Sequence, residues 1–333
     1  GGNAAFGANA AQALTTGAEC TALGSHALYS SSTASSNTAV GANALYADTT
    51  GTSNTAVGRY CMVSNTTGSS NTAVGADALD ANTTGSSNTA LGTSALGVNI
   101  TGSDNTAVGR GALQANLAGS NTAIGAYALQ VNTTGANNTA VGRQALDANT
   151  TASNNVAVGY AALLNCTTGY SNVAVGTNAL DAVTTSWGNV AIGDGAAGAL
   201  TTGEQNVAIG QGALGSCTTG KVNTCIGRSA GNAVTTAHFN TFVGGDSGRV
   251  CTTGASNTAL GNDTLYDLTT GDNNVCIGGG GFGSVNGAGA NVTTGSDNTL
   301  VGGANCGLNI TTQGANTFIG KGAGQLNTAS DNT

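Results

Sequence analysis

Few side chains in this sequence have chemistry to offer, so their types and spacing decide what it can do. The eight cysteines and two histidines are the soft metal ligands. A zinc centre draws such ligands from short paired spacings. His26 and His238 stand far apart, and no Cys/His spacing resembles a zinc site. Asp77 with Asp80, and Asp263 with Asp267, have the closeness of a glycosidase carboxylate pair. They fall where acids are scattered through the whole chain, so they read as solvated turn residues. The run Gly278 to Gly281, with Phe282 and Gly283, lacks the strand-to-helix setting that lets glycines cradle a phosphate. The reading is therefore no catalysis, no cofactor and no metal.

Aromatic side chains are the other candidates, because a ring can stack on a sugar or fill a groove between subunits. All seven tyrosines (Tyr29, Tyr46, Tyr60, Tyr127, Tyr160, Tyr170, Tyr266), together with Trp187 and Phe282, fall in turn or insertion segments of the pattern described next. They are the candidate ligand or protomer contacts.

What must position them is an internal repeat. The pentad Asn-Thr-Ala-Val-Gly, or a close variant, starts at Asn37, Asn54, Asn71, Asn88, Asn105 and on through Asn155 to Asn274. The step is 17 residues, shortened once to 16 before Asn121, with later steps of 24 and 18 to Asn298 and Asn316. Numbering the Asn as position 1, a copy reads N-T-A-V-G-x-x-A-L-x-x-N-T-T-G-x-x. Position 1 is Asn in 18 of 19 pentads, with Cys20 the exception, and position 5 is always Gly, as in Gly41, Gly58 and Gly75. The glycine and asparagine load and the absence of a 3.6-residue apolar stripe exclude helical repeats. The expected fold is all-β, a parallel β-solenoid or β-roll of about nineteen rungs. One strand is expected at positions 1 to 4 and a second near 11 to 14, with turns at the position-5 glycine and the Thr-Thr-Gly.

Charges indicate which columns face inward, because a buried column cannot carry them. None lies at positions 1 to 5, 8, 9 or 13 to 15. Position 12 is Asn in Asn65, Asn82, Asn99 and Asn116 but Cys166, Val183 and Leu200 further on, so it also points inward, as a ladder of stacked amides. Asp48 is its charged misfit. The same burial argues against sugar addition at the sequons that begin at Asn65 and Asn82. No two cysteines share a column on adjacent rungs, so no disulfide is expected. Along the first strand, positions 2 and 4 face one way and position 3 the other, and both sets are apolar. One face can be the interior of the roll, and the other calls for a neighbouring copy.

These pentads resemble the repeat of trimeric autotransporter adhesin heads, and similar arrays occur in phage tail-fibre-like proteins. The resemblance covers essentially the whole chain, although such heads have shorter repeats. It implies a parallel β-roll, a homotrimer, and display outside the cell or virion for attachment to a surface glycan or protein receptor.

The remaining features fit that expectation. With only seven Lys and Arg against 15 Asp and Glu, the chain lacks the cation clusters that nucleic acid requires. No apolar run is long enough for membrane insertion within this segment. Residues 1 to 333 read as one continuous repeat domain, a segment of a longer chain, with an insertion loop at about 279 to 290. The expected function is an extracellular structural or adhesive fibre. The alternatives are a phage tail-fibre shaft or tailspike that binds or cleaves glycan, and an ice-binding solenoid built on the Thr-Thr columns.

Overall fold

The computed structural model describes residues 2 to 280 and 287 to 332. The chain is a parallel β-solenoid of about 17 residues per turn, divided into two compact units, Gly1–Thr168 and Gly169–Thr333. The first unit carries ten three-residue strands, from β1 (Ala4–Phe6) to β10 (Val156–Val158). The second carries nine, from β11 (Val173–Val175) to β19 (Thr317–Ile319). Each strand is positions 2 to 4 of a repeat, and pairing is in register, with Thr38, Ala39 and Val40 opposite Thr55, Ala56 and Val57. Register survives the irregular steps: Thr106 faces Thr122 across the short one and Val275 faces Thr299 across the long one. In the short rung Ala118 replaces the usual position-15 glycine, its carbonyl accepting from both Asn105 and Asn116 Nδ2 at 2.9 and 2.7 Å.

The second strand expected near positions 11 to 14 is absent among the described residues. The chain turns over positions 9 to 12 instead, where Asp48 N–H donates to Leu45 O at 3.4 Å, and bends at 13 and 14, after positions 7 and 9 have entered the left-handed region, as in Asn43 (φ 58°) and Leu45 (φ 51°). These alternating hands turn the N–H groups to opposite neighbours. Tyr60 N–H donates to Ala42 O of the preceding rung, and Leu45 N–H to Cys61 O of the following one, both at 3.0 Å. A left-handed Leu costs roughly 1 kcal/mol, and full burial of that side chain offsets it. At position 13 the Thr66 N–H and its Oγ1 both donate to Thr83 O, at 2.9 and 3.0 Å. Adjacent rungs are therefore tied at this corner without a second strand.

The interior is made of small residues in columns. Ala39 at position 3, Ala44 and Leu45 at 8 and 9, and, inside the end rungs, the Asn of positions 1 and 12 are buried. Where position 3 enlarges, position 9 or its equivalent shrinks to glycine. A Cβ on Gly248 would lie 2.7 Å from the Phe242 ring, and one on Gly289 would lie 2.9 Å from Leu300 Cδ1. The volume of each rung is thus held nearly constant, as close packing demands. The eight cysteines are all free and buried, and burial pushes the thiols of Cys61 and Cys251 up to about 12.

Both Asn columns are hydrogen-bonded ladders. Asn54, Asn71 and Asn88 each donate their backbone N–H to the Oδ1 of the Asn one rung earlier, at 2.8, 3.0 and 2.9 Å. The amide of each also donates to the position-15 carbonyl of its own rung, as Asn88 Nδ2 does to Gly102 O at 2.9 Å. At position 12, Asn82 Nδ2 donates to Asn65 Oδ1 at 2.7 Å and to Gly85 O at 3.0 Å, so the sequon amide is fully engaged. Cys20 substitutes for an Asn by turning its Sγ to Ala34 O at 3.5 Å. Truncating Asn88 to Ala would leave the buried Asn105 N–H without its acceptor. The expected cost is about 2 to 3 kcal/mol. Thr101→Ala, at an exposed position, should stay within ~0.5 kcal/mol. Because each rung touches only its neighbours, amide hydrogen exchange should report the Asn88 loss locally, between residues 71 and 121. Equal protection in the two variants would remove the ladder as a source of stability.

Candidate functional site

The turn at positions 6 to 11 brings residue 10 of one rung beside residue 7 of the next, and most of the aromatic candidates lie there. In the first unit Tyr29 and Tyr46, both at position 10, stack at 4.9 Å with planes 2° apart. His26 tilts against both, at 5.3 and 6.2 Å. Its Nε2 accepts from Asn9 Nδ2 at 3.1 Å, which leaves Nδ1 to donate to Ser25 Oγ at 2.9 Å. His26, Asn43, Tyr46, Tyr60 and Val63 line an open cleft of about 320 Å³. The Arg59 guanidinium covers the Tyr60 ring at 5.0 Å.

The same pattern recurs along this edge of the first unit. Arg110 lies over Tyr127 at 4.8 Å, beside a cleft of about 410 Å³ that also includes Gln114 and Gln130. Arg143 lies over Tyr160 at 5.9 Å. Each pair contributes on the order of 0.5 to 1 kcal/mol at an exposed site. Within the second unit Arg249 covers Tyr266 at 5.7 Å, and Tyr170 stacks on Trp187 at 5.8 Å on the different edge formed by position 16. Phe282 lies outside the described residues. Tyr29, Tyr46 and Tyr60 are thus brought together, and the remaining aromatic candidates form separate pairs.

Burial raises the Asp80 carboxyl above its usual range, with the Asp77 charge a smaller contributor. Asp147 and Asp181, also at position 10, are raised by burial as well and lack a position-7 acid beside them. The shift therefore belongs to the column and not to a pair. Among the described residues no group of three His, Cys, Asp or Glu is placed to hold a metal. No helix there is long and apolar enough to cross a membrane.

Position 16 supplies a role that the sequence reading missed. Thr52, Ser69 and Ser86 N–H donate to the Oγ of Ser69, Ser86 and Ser103 on the next rung, at 3.1, 3.1 and 3.0 Å. In the second unit His238 Nδ1 and Asp272 Oδ1 accept in the same way, from Lys221 N and Ala255 N at 2.9 and 2.7 Å. The recurrence of Ser at this position was the available signal.

The outward face of the strands is the most regular surface. Position 3 points in, and positions 2 and 4 point out at every strand. Position 2 is Thr or Val apart from Ala4, and position 4 is aliphatic apart from Phe6, with no charge in either column. Val74, Leu91 and Ile124 in the first unit, and Ile192, Leu260 and Ile277 in the second, remain between 37 and 40% exposed. Compared with models of protein families the chain has no match, and no curated protein matches it.

Proposed function

We propose that the chain is a non-enzymatic segment of an extracellular fibre that associates with copies of itself, as a homotrimer, and presents surfaces for attachment. The outward strand face carries this reading. In the first unit alone, ten strands at about 4.8 Å spacing give a charge-free strip about 43 Å long and two side-chain columns wide. One of its columns is apolar throughout and the other is mostly Thr, and an uncharged, half-apolar strip of that length left in water is a surface of the kind that marks interaction sites. Three copies packing their strips about a common axis would remove it from water. The resemblance to adhesin heads and tail fibres supports the same assembly and the extracellular setting. The raised Asp80 carboxyl follows its column more than its Asp77 neighbour, which favours a structural role over a glycan-cleaving tailspike.

The same face gives the ice-binding reading a footing that the Thr-Thr columns did not. Position 13 is tied into the rung pairing and, of the Thr-Thr pair, position 14 is the exposed member, whereas positions 2 and 4 form two parallel outward columns. One of those columns is aliphatic, and the Thr column gives way to Val at Val156, Val173, Val190 and Val207, which places this reading second.

Sedimentation of the intact chain separates the readings. The wild type should run as three chains, and Val108→Glu with Val141→Glu should run as one, each still folded by circular dichroism. A monomeric wild type that shows thermal hysteresis would establish the ice-binding reading instead. Release of reducing sugar from host polysaccharide, lost in Asp77→Asn with Asp80→Asn, would establish the tailspike.

A further inference from the structure

The tyrosine stack on the first unit ends abruptly. Position 10 runs Tyr29, Tyr46, Val63 and then Asp80 in successive rungs. Tyr29 covers one face of the Tyr46 ring, and the next rung offers only the small Val63 opposite the other face. Tyr46 and Val63 both line the adjacent cleft and Tyr29 does not, so the cleft meets Tyr46 where the stack leaves its ring uncovered, beside Val63. Tyr60, 39% exposed, stands at the cleft from position 7 and is fixed there by Arg59. Asn43 adds an amide that can both donate and accept, and the imidazole of His26 completes the lining.

We propose that this cleft binds an uncharged pyranose unit of a glycan. A sugar ring presents one face of C–H groups and a rim of hydroxyls. The Tyr46 face suits the first, held rigid by the stack behind it, and Asn43 with the Tyr46 and Tyr60 phenols suits the second. No Asp, Glu, Lys or Arg lines the cleft, so its own lining offers a sialic or uronic acid no charged partner that a neutral sugar would lack. At about 320 Å³ the cleft lies at the small end of ligand sites and suits one ring with part of a second. A ligand of that size gives a Kd on the order of 1 to 10 mM. Repetition in an oligomer would raise the avidity, as attachment through weak sites requires. The proposal deepens the attachment reading by naming the chemistry of what is attached.

The test is saturation-transfer NMR of the intact chain titrated with methyl glucoside, methyl galactoside and methyl mannoside, with free sialic acid as the charged counterpart. At least one neutral glycoside should bind saturably in the millimolar range, with transfer strongest to the C–H groups of one ring face. Val63→Tyr extends the stack over the open face of Tyr46 and should weaken binding at least tenfold without loss of fold. Tyr46→Ala should do the same, and Thr101→Ala, at an exposed position away from the cleft, should leave binding unchanged. Absence of saturable neutral-sugar binding, preference for sialic acid, or binding that survives both Val63→Tyr and Tyr46→Ala would overturn the proposal. Sedimentation of the same samples keeps the outcomes apart, because a trimer that binds no sugar refutes the cleft alone, and a monomer that binds it refutes the fibre alone.

Discussion

Asp48→Asn should stabilise the chain at pH 8 by about 4 kcal/mol and leave its stability at pH 3 almost unchanged. Asp48 is fully buried in the position-12 column, where every neighbouring rung offers a neutral group. Burial is the main cause that raises its carboxyl to about 7, with bonds from Asn65 and from the Gly51 backbone opposing. The folded state therefore holds the proton more tightly than the unfolded one. Its stabilising effect is complete below the unfolded pKa of about 4 and declines as pH rises. It is gone above about 7, where the ionised form bears the whole desolvation cost. Over that window the wild type should fall behind the variant by about 1.4 kcal/mol per pH unit. Denaturant unfolding of both proteins at pH 3, 5, 7 and 8 measures the gap, and comparison at each pH cancels the other acids. A gap that does not change with pH would mean that Asp48 keeps its proton balance in both states.

The reason for expecting a gain from the amide is the ladder itself. Asn65 Nδ2 reaches Asp48 Oδ1 at 2.9 Å, and Asn37 Nδ2 reaches Oδ2 at 3.2 Å, so the carboxylate accepts but has nothing to donate. One rung earlier Ser31 Oγ is buried without a partner. An amide at position 48 would keep an acceptor for Asn65 and point a donor toward Ser31, as Asn82 Nδ2 does toward Asn65, while Asn37 Nδ2 gives up its longer bond to position 48 and keeps Gly51 O at 2.7 Å. Protonated Asp48 imitates this, which is why the low-pH protein should need no correction.

The inside columns were legible in the sequence because exclusion of charge is a strong signal when the same position can be read nineteen times. Ala39, Leu45 and Asn82 are buried as their columns predicted. The strand at positions 2 to 4 was legible from its Thr-Ala-Val alternation, and its exposed apolar face from the need to place two apolar sets on opposite sides. The second strand failed because the β-branched Thr-Thr pair suggested extension, while the chain turns over positions 9 to 12 and bends at 13 and 14, and the left-handed residues that lead into that turn are in most rungs Asn, Tyr, Asp, Ser or Leu rather than glycine. That error also hid the cleft. With positions 11 to 14 drawn as a strand, nothing brought Tyr46 of one rung beside Tyr60 of the next. The exchange of size between Phe242 and Gly248 was visible as covariation within the chain, and it acquires meaning only once position 9 is known to face position 3.

Gly142→Ala should unfold its neighbourhood outright, whereas Gly195→Ala should cost only about 1 kcal/mol. Both glycines have positive φ, but for different reasons. Gly195 at position 7 has φ 60° and nothing within 4 Å of an added Cβ, and the same position elsewhere accepts Asn43 and Tyr60 in the same conformation. Gly195→Asn should therefore be close to neutral. Gly142 at position 5 has φ +136°, a region that side chains scarcely enter, and its Cβ would stand 2.3 Å from Gly159 O on the next rung. The strained backbone alone costs on the order of 1 to 3 kcal/mol. The contact cannot be relieved by a side-chain rotation, because the atom it meets is main chain. Moving that carbonyl would in turn disturb the turn it closes, where Ala162 N–H donates to Gly159 O at 3.5 Å. The summed cost should exceed ~4 kcal/mol, about half the stability of an ordinary domain. Hydrogen exchange should show lost protection in the rungs on either side of Gly142, at residues 121 to 168, while Gly195→Ala leaves its own unit protected. Similar protection in the two variants would mean that the rungs can spread at position 5, and that the invariant glycine is not set by the approach of one backbone to the next.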